Sequence, residues 1–66
     1  MMLMLNGKQV RELREAMGLT SREFADKLGV SWSTVCYWER DERHPAWKHL
    51  VKLNKLAEEA KLVAAS

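Results

Sequence analysis

The stretch that decides the fold is residues 20–40, which read TSREFADKLGVSWSTVCYWER. Two runs within it, over about 21–28 and 32–40, carry apolar residues at the three- and four-residue spacing of a helix. About three residues join them, and one is Gly29, which adopts a positive φ without steric cost. Ala25, four residues before Gly29, lets the second helix approach the first closely. The stretch therefore predicts two helices joined by a tight turn.

Capping residues support both helix starts. Thr20 precedes the first run, with Glu23 three residues later as a capping box requires, and Ser31 precedes the second run. Local signals and helical period agree, so we expect a helix-turn-helix unit.

The flanking sequence adds one helix on each side. Asn6 and Gln9 form a second potential capping box, which predicts a helix over about 7–17. Pro45 suits the first position of a helix, which we expect to continue to about residue 63. An apolar stripe runs along this last segment: Ala46, Leu50, Leu53, Ala57 and Ala60. The predicted fold class is all-α, a small compact bundle of four helices, or five if the last segment breaks.

Length and composition exclude several classes of protein. The chain has 66 residues, which we interpret as one domain over residues 1–66. Its single cysteine, Cys36, excludes an internal disulfide framework and a multi-cysteine zinc site. No apolar run reaches the ~20 residues of a membrane span, and the N-terminus lacks the basic region of a signal peptide. We therefore expect a cytoplasmic protein with no membrane contact.

From Val10 to about Ala57 the sequence resembles the phage-repressor and Cro-like (XRE-type) family of helix-turn-helix DNA-binding domains. The resemblance is carried by ordered pieces of sequence: VRELR at 10–14, GLTSREFA at 18–25, LGVS at 28–31, Val35, WER at 38–40, Pro45, and Leu53, Leu56 and Ala57. It implies a lambda-repressor-like fold of phage or bacterial type. The helix-turn-helix would cover about 20–40, with a support helix over about 45–63.

The resemblance also implies roles for individual residues. The second helix of the unit would lie in the major groove of DNA and read base edges through Trp32, Ser33, Cys36 and Tyr37. Phosphate contacts would come from Thr20, Ser21, Arg22, Thr34, Arg40, Arg43 and Lys48. Arg14 and Glu39 would form an internal ion pair between the first and third helices.

The sequence departs from the family pattern in three places. Asp41 stands where relatives usually carry a glycine, and Asp tolerates a left-handed backbone better than most residues. Trp32 stands where a polar amide is frequent, so it is either an apolar base contact or a structural residue. One long fourth segment replaces the separate fourth and fifth helices.

A homodimer is expected, because a monomer of this size cannot easily cover all the apolar residues of the last segment. The candidate dimer residues are Trp47, Val51, Leu56, Leu62 and Val63. Three alternatives remain open for the Met-rich N-terminus, residues 1–5. It covers the core, it forms a strand that pairs with its copy across the dimer, or it is a frayed tail.

The charge distribution and side-chain chemistry favour a nucleic-acid-binding protein over an enzyme. The net charge is only +2, but Arg43, Lys48, Lys52 and Lys55 follow the helix-turn-helix without an intervening acid. His44 and His49 with one cysteine make a poor metal site, and Cys36 is more simply a small filler than a redox switch. We expect no enzyme activity, no cofactor, no metal and no small-molecule ligand.

The sequence therefore predicts a sequence-specific double-stranded DNA-binding transcriptional regulator, a repressor that binds a palindromic operator as a homodimer. Two alternatives remain open at this point. One is a protein-interaction module, an antitoxin or adaptor, that retains the fold. The other is an excisionase-like accessory protein that bends DNA.

Overall fold

A computed structural model of the chain describes residues 4–60. This part of the chain contains four helices: α1 (Gly7–Ala16), α2 (Ser21–Leu28), α3 (Trp32–Glu39) and α4 (Trp47–Glu59). No strand occurs between residues 4 and 60. The predicted all-α bundle with a helix-turn-helix at α2–α3 is confirmed.

The first three helices begin at the predicted caps. The Asn6 side chain accepts a hydrogen bond from the Gln9 N–H at 2.9 Å, and the Gln9 side chain accepts one from the Asn6 N–H at 2.9 Å. Thr20 and Glu23 form the same reciprocal pair, at 3.1 and 2.9 Å. Ser31 Oγ accepts the Thr34 N–H at 3.3 Å. These side chains satisfy backbone donors that would otherwise lack partners at the helix starts.

The turn between α2 and α3 depends on Gly29. Its φ of +74° lies in the left-handed region, and its N–H bonds to carbonyls in the last turn of α2. The Val30 N–H then bonds to the Ala25 carbonyl at 3.0 Å. These bonds end α2 and redirect the chain, so α3 begins three residues later at a fixed angle.

All four helices contribute to one hydrophobic core. Its most deeply buried side chains are Val10, Leu13, Phe24, Leu28, Val35 and Leu53. Helix α3 packs against α1 and α2, and α4 packs against the same two helices. Helix α3, which the family resemblance places in the major groove of DNA, is thus held from behind by two helices.

The predicted bounds of the last helix were wrong at its start. Pro45 is buried in the preceding turn rather than at the first helical position, and Ala46 is extended, with φ −68° and ψ 164°. Ala46 is therefore exposed and not part of the apolar stripe. The helix begins at Trp47 and is capped by Ala60, short of the predicted residue 63. The structure does not describe two of the candidate dimer residues, Leu62 and Val63, or residues 1–3 of the Met-rich N-terminus.

The N-terminus of α1 lies directly against the C-terminus of α3. A Cβ placed on Gly7 would overlap the Glu39 carbonyl oxygen and come within 2.8 Å of the Trp38 carbonyl oxygen. Only glycine fits here without a backbone shift. This contact, which helps to fix the end of α3, could not be predicted from local sequence patterns.

Candidate nucleic-acid interface

Helix α3 has a buried face and an exposed face. Val35 and Trp38 point into the core, with exposed fractions of 0% and 3%. Four predicted base-reading residues lie away from the core, where Trp32, Ser33 and Tyr37 are exposed and Cys36 is half-buried. A helix presented in this way can enter a groove without disturbing the fold.

A cluster of three hydroxyl groups sits at the start of α3. Ser31 Oγ lies 2.8 Å from Thr34 Oγ1 and 3.2 Å from Ser33 Oγ. Ser33 is exposed and Thr34 is half-buried. The cluster orients both hydroxyl groups, so the predicted base contact of Ser33 and phosphate contact of Thr34 would start from defined side-chain positions.

Two arginines lie over the two aromatic rings of the exposed face. The Arg22 guanidinium carbon is 5.4 Å from the Trp32 ring centroid, and that of Arg43 is 5.0 Å from the Tyr37 ring centroid. Both distances are within the range of a cation–π interaction. Neither pair was predicted from the sequence, because the partners lie ten and six residues apart on different elements.

The remaining predicted phosphate residues lie at the start of α2, directly after α3 and in the first turn of α4. The Thr20 hydroxyl oxygen accepts the Glu23 N–H, which leaves the Thr20 O–H able to donate. Ser21 is half-buried at the first position of α2, whereas Arg40 and Lys48 are exposed. Arg40 Nη1 lies 3.6 Å from Glu42 Oε1 in a solvent-exposed ion pair. The carboxylate of Glu42 thus lies beside a side chain expected to bind an anion.

Arg14 and Glu39 connect α1 to the end of α3. Arg14 Nε donates to Glu39 Oε2 at 2.7 Å and Nη2 donates to Oε1 at 3.2 Å, a bidentate arrangement. Arg14 Nη1 also donates to the Leu19 carbonyl at 3.2 Å. The hydrogen bond to Glu39 raises the pKa of Arg14 above its usual value, although partial burial opposes the shift. Arg11 approaches the same carboxylate at 3.5 Å from a more exposed position.

The basic residues of α4 do not form one uniform solvated surface. Lys52 Nζ reaches the Leu28 carbonyl at the C-terminus of α2, at 3.5 Å. The positive charge is favourable there because the end of a helix carries partial negative charge. Lys52 thus supports the helix-turn-helix from behind, which its spacing in the sequence did not reveal.

His49 is half-buried against the core tryptophan. Its ring centroid lies 5.5 Å from that of Trp38 in a tilted arrangement. Burial lowers the pKa of His49 below its ordinary value, and the neighbouring Lys48 and Lys52 lower it further.

The candidate dimer residues separate into two groups. Trp47 and Val51, one turn apart on α4, are 70% and 44% exposed. Leu56 is half-buried and packs against the core. Trp47 and Val51 therefore define the apolar face of α4 that this monomer leaves uncovered.

Between residues 4 and 60, no group of three or more His, Cys, Asp or Glu side chains is placed to hold a metal ion. Cys36 is a half-buried free thiol. No helix within these residues has the length and apolar character needed to cross a bilayer.

Comparison with known proteins identifies relatives of this arrangement. A helix-turn-helix family model matches residues 10–58. The "HTH-type transcriptional regulator ImmR" of Bacillus subtilis (strain 168) is 38% identical over 50 residues, which cover 76% of this chain and 39% of that protein. The "Putative HTH-type transcriptional regulatory protein TK0539" of Thermococcus kodakarensis is 36% identical over 56 residues, 85% of this chain and 18% of that protein.

The chain thus spans about two fifths of the first relative and less than one fifth of the second. No solved structure matches it significantly. The matched region contains α2, the turn and α3 in full, together with the residues of the Arg14–Glu39 pair.

Proposed function

Because this chain belongs to the XRE-type, Cro-like family of helix-turn-helix proteins, we propose that it is a sequence-specific double-stranded DNA-binding regulator of transcription. The observation that carries the proposal is the presentation of α3. Two helices hold it from behind, its outer face is free, and arginines lie along both sides of that face. A helix of this kind fits the major groove of DNA.

In the proposed complex the exposed face of α3 meets base edges. Ser33 can donate or accept a hydrogen bond, and the Cys36 thiol offers an apolar contact to a thymine methyl group. Trp32 and Tyr37 lie on the same face, each beneath an arginine. The phosphate contacts come from the N-termini of α2 and α3, the turn after α3 and the start of α4: Thr20, Ser21, Arg22, Thr34, Arg40, Arg43 and Lys48. Free N–H groups and the helix dipole favour a phosphate at the N-terminus of α2.

We further propose that two copies act together as a repressor. The support is the apolar pair Trp47 and Val51, which a second copy would remove from water. A two-fold dimer would place two α3 helices in successive major grooves, about 34 Å apart, and would read a palindromic operator. Bound there, it would occlude a promoter.

The decisive experiment is selection of bound duplexes from a random library, with the mass of the protein in solution measured in parallel. We expect an enriched palindrome, a mass of two chains, and an affinity that falls steeply with salt. Replacing Trp47 with Ser should reduce the mass to one chain and keep the preference for one half-site. Replacing Lys8, exposed on α1, with Ser serves as a control. A lack of any enriched sequence, with salt-independent affinity, would contradict the proposal.

Repression is tested separately. A reporter gene carrying the selected palindrome across its promoter should fall in expression when the protein is produced. A rise in expression would identify an activator and leave the DNA-binding proposal intact.

The uncovered pair Trp47 and Val51 also favours a second candidate, an interaction module that binds another protein. This candidate predicts a stable 1:1 complex with that protein, which W47S abolishes, and no binding of random duplex DNA at low salt. Selection from the duplex library and the measurement of duplex binding at low salt therefore distinguish the two candidates.

A further inference from the structure

The two aromatic residues on the outer face of α3 are each covered by a cation. Arg22 lies over Trp32 and Arg43 lies over Tyr37, at 5.4 and 5.0 Å. Trp32 and Tyr37 remain 47% and 38% exposed, so both pairs are at the surface that the proposed function turns toward DNA. Two such pairs on one eight-residue helix are well above the usual frequency of one per 70–80 residues.

The positions of the rings around the helix are informative. At about 100° per residue, the outward positions of α3 and its cap follow one another in the order Trp32, Cys36, Arg40, Ser33, Tyr37 and span about 140°. The two rings thus lie at the edges of the exposed face, with the polar and small side chains between them. A helix in the major groove has base edges beneath its centre and a phosphate backbone on each side.

A guanidinium group can use an aromatic ring and a phosphate together. It is planar, so stacking occupies one face while the N–H donors, which lie in the plane, remain free for a bidentate contact. Stacking also restricts the long arginine side chain before DNA arrives, so less freedom is lost on binding.

We infer that Trp32 and Tyr37 are positioning residues, which hold Arg22 and Arg43 against the two phosphate backbones that flank the groove. Base reading then belongs to the residues of α3 between them, Ser33 and Cys36, whereas Arg40, which follows the last residue of α3, keeps its phosphate contact. This inference rests on the proposed DNA-binding function, and it changes the base-reading role that the family resemblance implies for both aromatic residues.

The test measures affinity for the selected duplex and for its single-base variants over a range of salt concentrations. W32L and Y37L should weaken binding to every duplex about 2- to 5-fold and leave the ranking of the duplexes unchanged. W32F and Y37F, which keep a ring, should stay within about twofold of the unchanged protein. R22A should lower the salt slope by about one, and adding W32L to R22A should cause little further loss.

S33A is the matched control, because it changes a central residue and should alter the ranking without altering the salt slope. Circular dichroism and the thermal midpoint establish that each variant is folded. If a leucine variant unfolds, Y37F still tests the inference, because this substitution removes only a hydroxyl group from an exposed ring.

Two results would overturn the inference alone: a changed ranking of duplexes in W32L or Y37F, or fully additive losses in the R22A/W32L pair. Absence of any duplex binding by the unchanged protein at low salt would overturn the proposed function, and this inference with it.

Discussion

The Asp41 carboxylate accepts a hydrogen bond from the Gly7 N–H at 2.8 Å, across 34 residues of sequence. Asp41 has a φ of +61°, in the left-handed region, and directly follows Arg40, the C-cap of α3. Gly7 is the first residue of α1, where backbone N–H groups lack helical partners. One residue therefore completes the turn after α3 and also stabilises the start of α1.

This double role explains why an aspartate can stand where the family pattern has a glycine. We expect D41A to lower the free energy of unfolding by about 1 to 3 kcal/mol, since it loses the cap and keeps the backbone cost. D41N should lose less than about 1 kcal/mol, because it retains an acceptor and tolerates positive φ. Urea denaturation measures both, and equal losses in the two variants would argue against the hydrogen bond.

The sequence predicted what short-range patterns encode. The caps at Asn6, Thr20 and Ser31, the turn at Gly29 and the helical period are local, and each was found as expected. The start of α4 was missed because Pro45 fits a helix start and a buried turn equally well, and packing decided for the turn.

Contacts between distant elements could not be read from one sequence. The overlap that excludes a side chain at Gly7 and the bond from Lys52 to the Leu28 carbonyl both depend on how the helices are placed. The same holds for the arginine–aromatic pairs. The family resemblance suggested Trp32 and Tyr37 as base contacts, whereas their position beneath Arg22 and Arg43 emerges only in three dimensions.

Two arginines meet Glu39, and their loss should have unequal effects. R14A leaves a carboxylate that is only 9% exposed without its bidentate partner, so we expect a loss of about 2 to 4 kcal/mol in unfolding free energy. R11A removes a 52% exposed side chain at 3.5 Å and should cost less than about 1 kcal/mol. Chemical denaturation of the two variants makes the comparison. Similar losses of unfolding free energy would show that the bidentate contact of Arg14 stabilises the fold no more than the exposed contact of Arg11.

His49 should make stability depend on pH on the acid side of neutrality. Its folded pKa is lowered by burial and then by Lys48 and Lys52, so the unfolded chain takes up the proton first as the pH falls. The free energy of unfolding therefore decreases as the pH falls below about 6.5, the ordinary histidine value, toward the lower folded pKa. Above that window His49 is neutral in both states and contributes no pH dependence.

Urea denaturation at a series of pH values from 7.5 to about 5 tests this expectation. H49Q should reduce the acid-side decrease, whereas H44Q, which changes the exposed histidine and keeps His49, should retain it. An unchanged profile in H49Q would assign the acid sensitivity to other groups.

Glu42 should oppose the proposed binding of DNA. Its carboxylate lies 3.6 Å from Arg40 Nη1, and both side chains are more than half exposed. It therefore competes with phosphate for the guanidinium and adds a negative charge near the DNA backbone. We expect E42Q to tighten binding about 2- to 5-fold at low salt, and the gain to shrink as salt screens the charge. Titration of a labelled duplex with each variant provides the measurement.

E12Q makes the same charge change on α1, outside the proposed interface, and should have a smaller effect. If E42Q and E12Q tightened binding equally, the effect would come from net charge alone, and Arg40 would lose its assigned place at the phosphate backbone.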